Sequence, residues 1–215
     1  MQGPVRLPTA SFQNDAPHRP ALHAPDHHAA NSFVNVKSGH LQSDRAFFHD
    51  TLTGIHNREA FYRKTAELLR DHPEQPYVLL AMDIERFKVI NDLFGKDLGD
   101  RILKAIANGL QHLLSAVGTY ARLEADHFVA CFPQKLLDID RIAKLFAIGL
   151  RRQKIDYQIQ LCFGIYLIHN RSVPINHMCD RAVMALKTVK GNAVTHFAYY
   201  FDKMRLAMEI VPKET

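Results

Sequence analysis

The sequence predicts a mixed α/β fold: a largely antiparallel five-stranded sheet flanked by helices. Three observations carry that expectation. Tyr77-Val-Leu-Leu-Ala81 is a continuous apolar run of strand length, the pattern of a strand buried on both faces. Gly118 to Leu123 and His127 to Phe132 are short strand-like runs on either side of Glu124-Ala125-Asp126, which reads as a hairpin. Strand-like and amphipathic helical stretches interleave along the chain. A hairpin requires antiparallel pairs, however, so a mixed sheet is expected rather than a doubly wound one.

Residues 1 to about 40 are rich in Pro, His and Ala without periodicity, and are expected to form a disordered tail. His23, His27 and His28 lie there without a supporting Cys or acid cluster, so they define no metal site. Residues 41–49 are expected to be a short linker helix that carries Phe47 and Phe48 into a domain at 50–205, with 206–215 as a C-terminal tail. Asp50-Thr-Leu-Thr-Gly-Ile-His-Asn57 is turn chemistry. Asn57 serves as N-cap for a helix from Arg58 to Asp71, whose Ala60, Phe61, Leu68 and Leu69 share one face. The first strand, 77–82, follows. A helix is expected from about Leu98 to Leu114, with Ile102, Leu103, Ile106, Leu110 and Leu113 at helical spacing. After the hairpin come an amphipathic helix from Leu136 to Gln153 and a long strand from Tyr157 to His169. Gly164, inside that strand, marks a bulge or a close approach of backbones. A helix from Asn176 to Lys190 and a last strand from Thr195 to Phe201 complete the set.

Composition narrows the function classes. A chain of 215 residues, 47% hydrophobic, suffices for one well-buried domain and an appendage. The net charge of +5 and pI near 9.1 favour a polyanionic ligand. The basic residues are scattered, and no aromatic stacking pattern accompanies them, which argues against a nucleic-acid binder. No apolar stretch approaches the length of a membrane span, and the N-terminus lacks the apolar core of a signal peptide. Cys131, Cys162 and Cys179 show no paired spacing, as expected of reduced core thiols in a cytoplasmic protein.

The most informative stretch is Met82-Asp-Ile-Glu-Arg-Phe-Lys-Val-Ile-Asn-Asp-Leu-Phe-Gly95, closing with Asp97-Leu-Gly-Asp100. An acid at the C-terminal end of a buried strand is costly unless something pairs with it. Carboxylate, lysine and amide at such a strand end suit a metal–nucleotide: Asp for Mg²⁺, Lys for phosphate, Asn and Asp for a base edge. The bland alternative is a capped strand–helix junction, with Asp83 as N-cap and the rest a solvated helix face.

Four segments stand in one order: DTLTGIHNREAF at 50–61, MDIERFKVINDLFGKDLGD at 82–100, ARLEADHF at 121–128 and DRAVMALKTVKGN at 180–192. Together they resemble the GGDEF domain of diguanylate cyclases, over roughly residues 45 to 205. The resemblance implies a fold like the adenylyl-cyclase and polymerase palm. It also implies condensation of two GTP molecules into cyclic di-GMP across a homodimer, assisted by Mg²⁺. By resemblance, Asp83 is a metal ligand beside the backbone carbonyl of Ile84, and Asp126 is both a metal ligand and the catalytic carboxylate. Lys88 and Lys187 match phosphate-contacting lysines, and Asn91 and Asp100 match the pair that reads the guanine edge, a chemically sensible pairing. Bland readings stand beside these: Asn91 and Asp92 capping a turn, Asp100 pairing with Lys104 at i,i+4, Lys187 merely solvated.

The departures from the family pattern bear on activity. The signature loop reads Glu124-Ala125-Asp126-His127-Phe128, with Glu and Ala where the family has glycines. Such glycines allow positive φ and close backbone approach to the nucleotide. Glu124 adds negative charge beside a polyphosphate, and His127 replaces a Glu with an imidazole that suits Mg²⁺ poorly. The family's inhibitory product site is an Arg-x-x-Asp pair, and Ser115 and Gly118 stand there, so no product site is expected. Gly191 occupies the place of a phosphate-contacting Arg, with Lys190 and Asn192 on either side. Arg122 matches the Arg that precedes the loop.

These residues lead to the expectation of a degenerate GGDEF domain that binds GTP as a regulatory or dimerising module with little or no cyclase activity. The alternatives are a working cyclase with a variant loop and a nucleotide-free protein-interaction domain. Tyr199-Tyr-Phe-Asp-Lys-Met204 resembles the stretch that leads into an EAL phosphodiesterase domain in hybrid proteins. No such domain follows within the 215 residues. A phosphodiesterase or signalling domain is accordingly an expected partner.

Overall fold

The computed structural model describes residues 47–152, 157–192 and 194–204. The expected tail at 1–40, most of the linker helix and the 206–215 tail lie outside the described residues. The fold is a mixed α/β palm: a five-stranded sheet in the order β2-β3-β1-β4-β5 with helices on both faces. The elements are α1 (Arg58–Asp71), β1 (Tyr77–Ile84), α2 (Phe87–Phe94), α3 (Lys96–Leu114), β2 (Thr119–Glu124), β3 (His127–Pro133), α4 (Ile139–Arg152), β4 (Leu161–Ile168), α5 (Ile175–Lys187) and β5 (Phe197–Tyr199).

β1 is the centre of the sheet. It runs antiparallel to both β3 and β4, and all eight of its residues are buried. That burial explains its unbroken apolar sequence, because alternation is lost when both faces are covered. Strand periodicity divides it between two cores. Val78, Leu80, Met82 and Ile84 pack with Ile102 and Ile106 of α3 and Phe146 of α4. Leu79 and Ala81 pack on the opposite face with Phe61 of α1 and with Met178 and Ala182 of α5. Asp83 continues the second series, so its side chain emerges on the α1/α5 face.

Gly164 is the close approach expected of it, not a bulge: its pairing with Ala81 lies in an unbroken β1–β4 register. A Cβ there would stand 1.9 Å from the Ala182 carbonyl oxygen and 2.5 Å from the Leu186 nitrogen. α5 therefore lies directly on the strand backbone. Asn57 caps α1 as expected, its Oδ1 accepting from the Ala60 N–H at 3.0 Å. The far end of α1 is closed by Arg171, from the β4–α5 loop. Its guanidinium donates to the carbonyls of Leu69, His72 and Gln75. The 50–57 turn docks on β2, with the Arg122 N–H donating to the His56 carbonyl at 3.0 Å.

Several expectations need correction. A separate helix, α2, precedes the helix expected from Leu98. It starts from Arg86, which has a left-handed φ of +55°, and ends at Gly95 with φ of +84°. Asp83 is a strand residue and caps nothing, and Asn91 lies inside α2 rather than capping a turn. The strand expected over 157–169 is Leu161–Ile168, that over 195–201 is Phe197–Tyr199, and the helix expected to reach Lys190 ends at Lys187. β5 pairs with β4 in parallel. Phe47 does not enter the core and is 66% exposed, whereas Phe48 lies under the Arg63 guanidinium. The expected thiols Cys131, Cys162 and Cys179 are free and buried. Among the described residues, no helix is long and apolar enough to cross a membrane.

Candidate functional site

The site forms where the C-terminal end of β1 meets the β2–β3 hairpin and the turn after α5. Asp83 is 1% exposed. Its Oδ2 is 2.6 Å from Lys190 Nζ and 2.9 Å from His127 Nε2, while its buried Oδ1 has no partner. The position of His127 follows from the β1–β3 register, one step beyond the Met82–Phe128 pair. There it is a half-buried imidazole hydrogen-bonded to Asp83. Asp126 Oδ2 accepts a 3.3 Å hydrogen bond from the Ile84 N–H. Ligand atoms of Asp83, Asp126 and His127 all lie within 4.8 Å of one another.

Electrostatics separate the two carboxylates. Burial alone would push Asp83 up, but hydrogen bonds from His127, Asp126 and Lys190 outweigh it and hold the group well below the usual carboxylate range. Asp126 moves the other way, raised first by burial and then by its contact with the Asp83 charge. Its hydrogen bond to Asp83 raises the His127 pKa against the opposing effect of burial. Asp83 is thus an ionised carboxylate with a side-chain ammonium on one oxygen and an open lone pair on the other.

The hairpin carries the strain expected from its lost glycines. Ala125 has a φ of +44°, left-handed geometry that costs a non-glycine residue about 1–2 kcal/mol. Arg122 anchors it: Nε donates to the Ala125 carbonyl at 2.7 Å while Nη1 reaches both Asp50 oxygens at 3.0 and 3.1 Å. Asp50 is itself held by the Thr53 N–H and hydroxyl at 2.8 and 2.6 Å. Glu124 is 65% exposed, with Arg58 at 3.4 Å and its Oε1 3.9 Å from His127 Nδ1.

The remaining residues named from the sequence lie around this centre. Lys88 is exposed on the first turn of α2 and Lys187 is exposed at the end of α5. Asn91 buries an unpartnered Oδ1 against Gly99, where a Cβ would stand 2.0 Å away, and Asp100 follows Gly99 in α3. The α2–α3 corner thus packs Asn91 against the residue that precedes Asp100. Two features were not anticipated. Lys190 lies on Asp83; the sequence showed it only as the neighbour of Gly191, which stands in the place of a phosphate-contacting Arg. Glu85 Oε2 accepts from the Gly191 N–H at 3.1 Å and from Cys162 Sγ at 3.4 Å, tying the turn after α5 to the end of β1. The only sequence signal for this tie is Gly191, whose φ of +80° turns the chain back toward the strand.

Comparison with known proteins is consistent across sequence and structure. The family described as "Diguanylate cyclase, GGDEF domain" matches residues 47–194. Diguanylate cyclase VdcA of Vibrio cholerae is 38% identical over 112 residues, covering 52% of this chain and 31% of that protein. Diguanylate cyclase DgcM of Escherichia coli is 37% identical over 99 residues, covering 45% of this chain and 24% of that protein. The chain thus matches a third or less of the length of these curated relatives. Among solved structures, the isolated GGDEF domain of Pseudomonas aeruginosa TpbB (YfiN) aligns with a TM-score of 0.63 at 27% identity, covering 75% of this chain and 99% of that one. The coiled coil and GGDEF domain of Caulobacter crescentus DgcB, solved with c-di-GMP, shares the fold with a TM-score of 0.63 at 20% identity, over 80% and 97% of the two chains. By the matched family, the curated relatives and the palm fold that carries Asp83 and Asp126 to one place, this chain belongs to the GGDEF family of diguanylate cyclase domains.

Proposed function

We propose that this domain serves cyclic di-GMP signalling as a guanine-nucleotide-binding regulatory or dimerising module with little or no diguanylate cyclase activity. The observation that carries this reading is Lys190 Nζ at 2.6 Å from Asp83 Oδ2. A fixed ammonium and the His127 imidazole share the oxygen of the carboxylate that a catalytic metal would need. The hairpin adds to this. Glu124 sets an anionic side chain, and Ala125 a Cβ, where the family has bare backbone. Recognition of the base would fall to Asn91 and Asp100, which come from the α2–α3 corner and do not depend on the altered loop. Lys88 and Lys187 would contact phosphate.

The donor set fits a divalent cation in part. Asp83 offers a buried, unpartnered Oδ1, and Asp126 a second carboxylate beside the Ile84 backbone. Mg²⁺ prefers oxygen ligands, and the imidazole of His127 in the set counts against it. When bound, such an ion supplies positive charge for a nucleotide phosphate. The chain's own residues orient the base, exclude water around Asp83 and present Lys190 to the same charge.

Two assays test this reading. Purified protein with GTP and either Mg²⁺ or Mn²⁺ is expected to form no cyclic di-GMP above background; turnover would replace it with the working-cyclase reading. Calorimetry with a non-hydrolysable GTP analogue is expected to show binding that Asn91→Ala weakens by roughly tenfold, the value of one lost base-edge contact. Absence of binding at millimolar nucleotide would leave the protein-interaction reading. A phosphodiesterase partner whose rate depends on GTP fits the regulatory role.

A further inference from the structure

We infer that His127 sets the metal preference of this site: Asp83, Asp126 and His127 form a two-carboxylate, one-imidazole centre that selects a borderline transition-metal ion such as Zn²⁺, Co²⁺ or Ni²⁺ over Mg²⁺. The inference rests on the reading of Asp83 as a metal ligand and specifies which metal that ligand set takes.

Three independent observations support it. The ligand atoms lie within 4.8 Å of one another, and ligands about 2.0–2.2 Å from a shared ion stand about 3–4 Å apart, so small side-chain adjustments suffice. The cluster is more than a set of surface acids, because Asp83 is 1% exposed and its Oδ1 lies buried without a hydrogen-bond partner. The imidazole also faces the carboxylate. Nε2 faces the Asp83 carboxylate at 2.9 Å, and Nδ1 faces Glu124 Oε1 at 3.9 Å. The Glu124 contact is an exposed ion-pair approach beyond hydrogen-bond distance, so the ring is held from the Asp83 side alone. Of the loop departures, His127 is the one that supplies a nitrogen ligand, and its place is set by the hairpin register and by Asp83.

Ion chemistry gives the direction of the preference. Mg²⁺ is hard, dehydrates reluctantly and takes oxygen ligands, whereas imidazole raises affinity for later first-row ions and Zn²⁺. Lys190 competes for Asp83 Oδ2 with any ion, so it lowers affinity across the series without changing the order.

The chelator-stripped 215-residue chain, titrated separately with Zn²⁺, Co²⁺ and Mg²⁺ in a calorimeter, tests the inference. The Co²⁺ visible absorption spectrum provides a second readout of nitrogen ligation. Wild type is expected to bind Zn²⁺ and Co²⁺ at least about 100-fold more tightly than Mg²⁺. His127→Glu is expected to reduce that ratio by about tenfold or more. The comparison between variants cancels any binding by His23, His27 and His28, which all of them share. If His127→Glu fails to fold by circular dichroism, His127→Gln takes its place, with loss of Zn²⁺ and Co²⁺ affinity expected. An unchanged metal ratio in the folded His127 variant overturns the inference while the Asp83 site stands. Unchanged binding of every metal in Asp83→Asn overturns the site itself.

Discussion

Replacing Lys190 by Gln removes a charge from the ion pair that holds the most buried carboxylate at the site, and its cost follows from the geometry. At 2.6 Å and an effective dielectric near 20, the bare attraction to Asp83 is about 6 kcal/mol. Most of that offsets the desolvation of a carboxylate that is only 1% exposed. Deleting one partner of a fully buried pair costs about 3–5 kcal/mol. The Lys190 side chain is 39% exposed, so solvent screens its share, and His127 stays on the same oxygen. The expected loss is therefore about 2 kcal/mol, or about 1 M in the urea midpoint for a domain of this size. Urea denaturation of wild type, Lys190→Gln, Asp83→Asn and the double variant measures it. The coupling energy should be about 1–2 kcal/mol, and Lys190→Gln should cost little once Asp83 is neutral. A Lys190→Gln variant within about 0.3 kcal/mol of wild type, or a coupling near zero, would refute the ion pair as the group that holds Asp83.

Three further outcomes can be measured. Arg171→Ala strips the donor from three backbone carbonyls at the end of α1. A loss of about 2–3 kcal/mol is expected, with faster hydrogen exchange over His72–Gln75. Ala125→Gly relieves a φ of +44° but adds chain entropy to the unfolded state, for a net gain of about 0.5 kcal/mol in thermal unfolding. The pKa of His56 is lowered to about 4, chiefly by burial and then by the charges of Lys64, His49 and Arg63. Between pH 6.5 and 4 the unfolded chain takes up a proton that the native imidazole refuses, so stability falls as pH falls through that window. After discounting for its partial exposure, the drop is about 1–2 kcal/mol, and His56→Gln should flatten that part of the curve.

Much of the fold was legible because its cues are local. A strand buried on both faces writes an unbroken apolar run, as at Tyr77–Ile84. The hairpin is announced by a polar turn, and α1 by Asn57 at its start. Gly164 marked either a bulge or a close approach, and only the helix placed over it decides between them. α2 escaped because its outward residues are themselves apolar: Val89, Leu93 and Phe94 are exposed, Ile90 alone is fully buried, and no clean stripe remains to read. The long strand expected after Tyr157 is shorter because apolar content alone does not secure a partner strand, and pairing begins only at Leu161. At the site, Asp83, Asp126 and His127 were visible as residues, but the partnership with Lys190 was not. That contact spans 107 positions and depends on where a helix happens to stop. The Glu85–Gly191 tie is equally long-range, and nothing in the spacing of the two announces it.

The bare Cα of Gly164 has a consequence at a distance. Because that strand position carries no side chain, α5 settles onto the sheet at backbone contact, and the turn that follows it arrives at a fixed height. A methyl group at position 164 would act as a shim, pushing the rod off the strand and lengthening the reach that Lys190 makes to the carboxylate. How firmly one end of the sheet is neutralised is thus set by an atom missing from the middle of it.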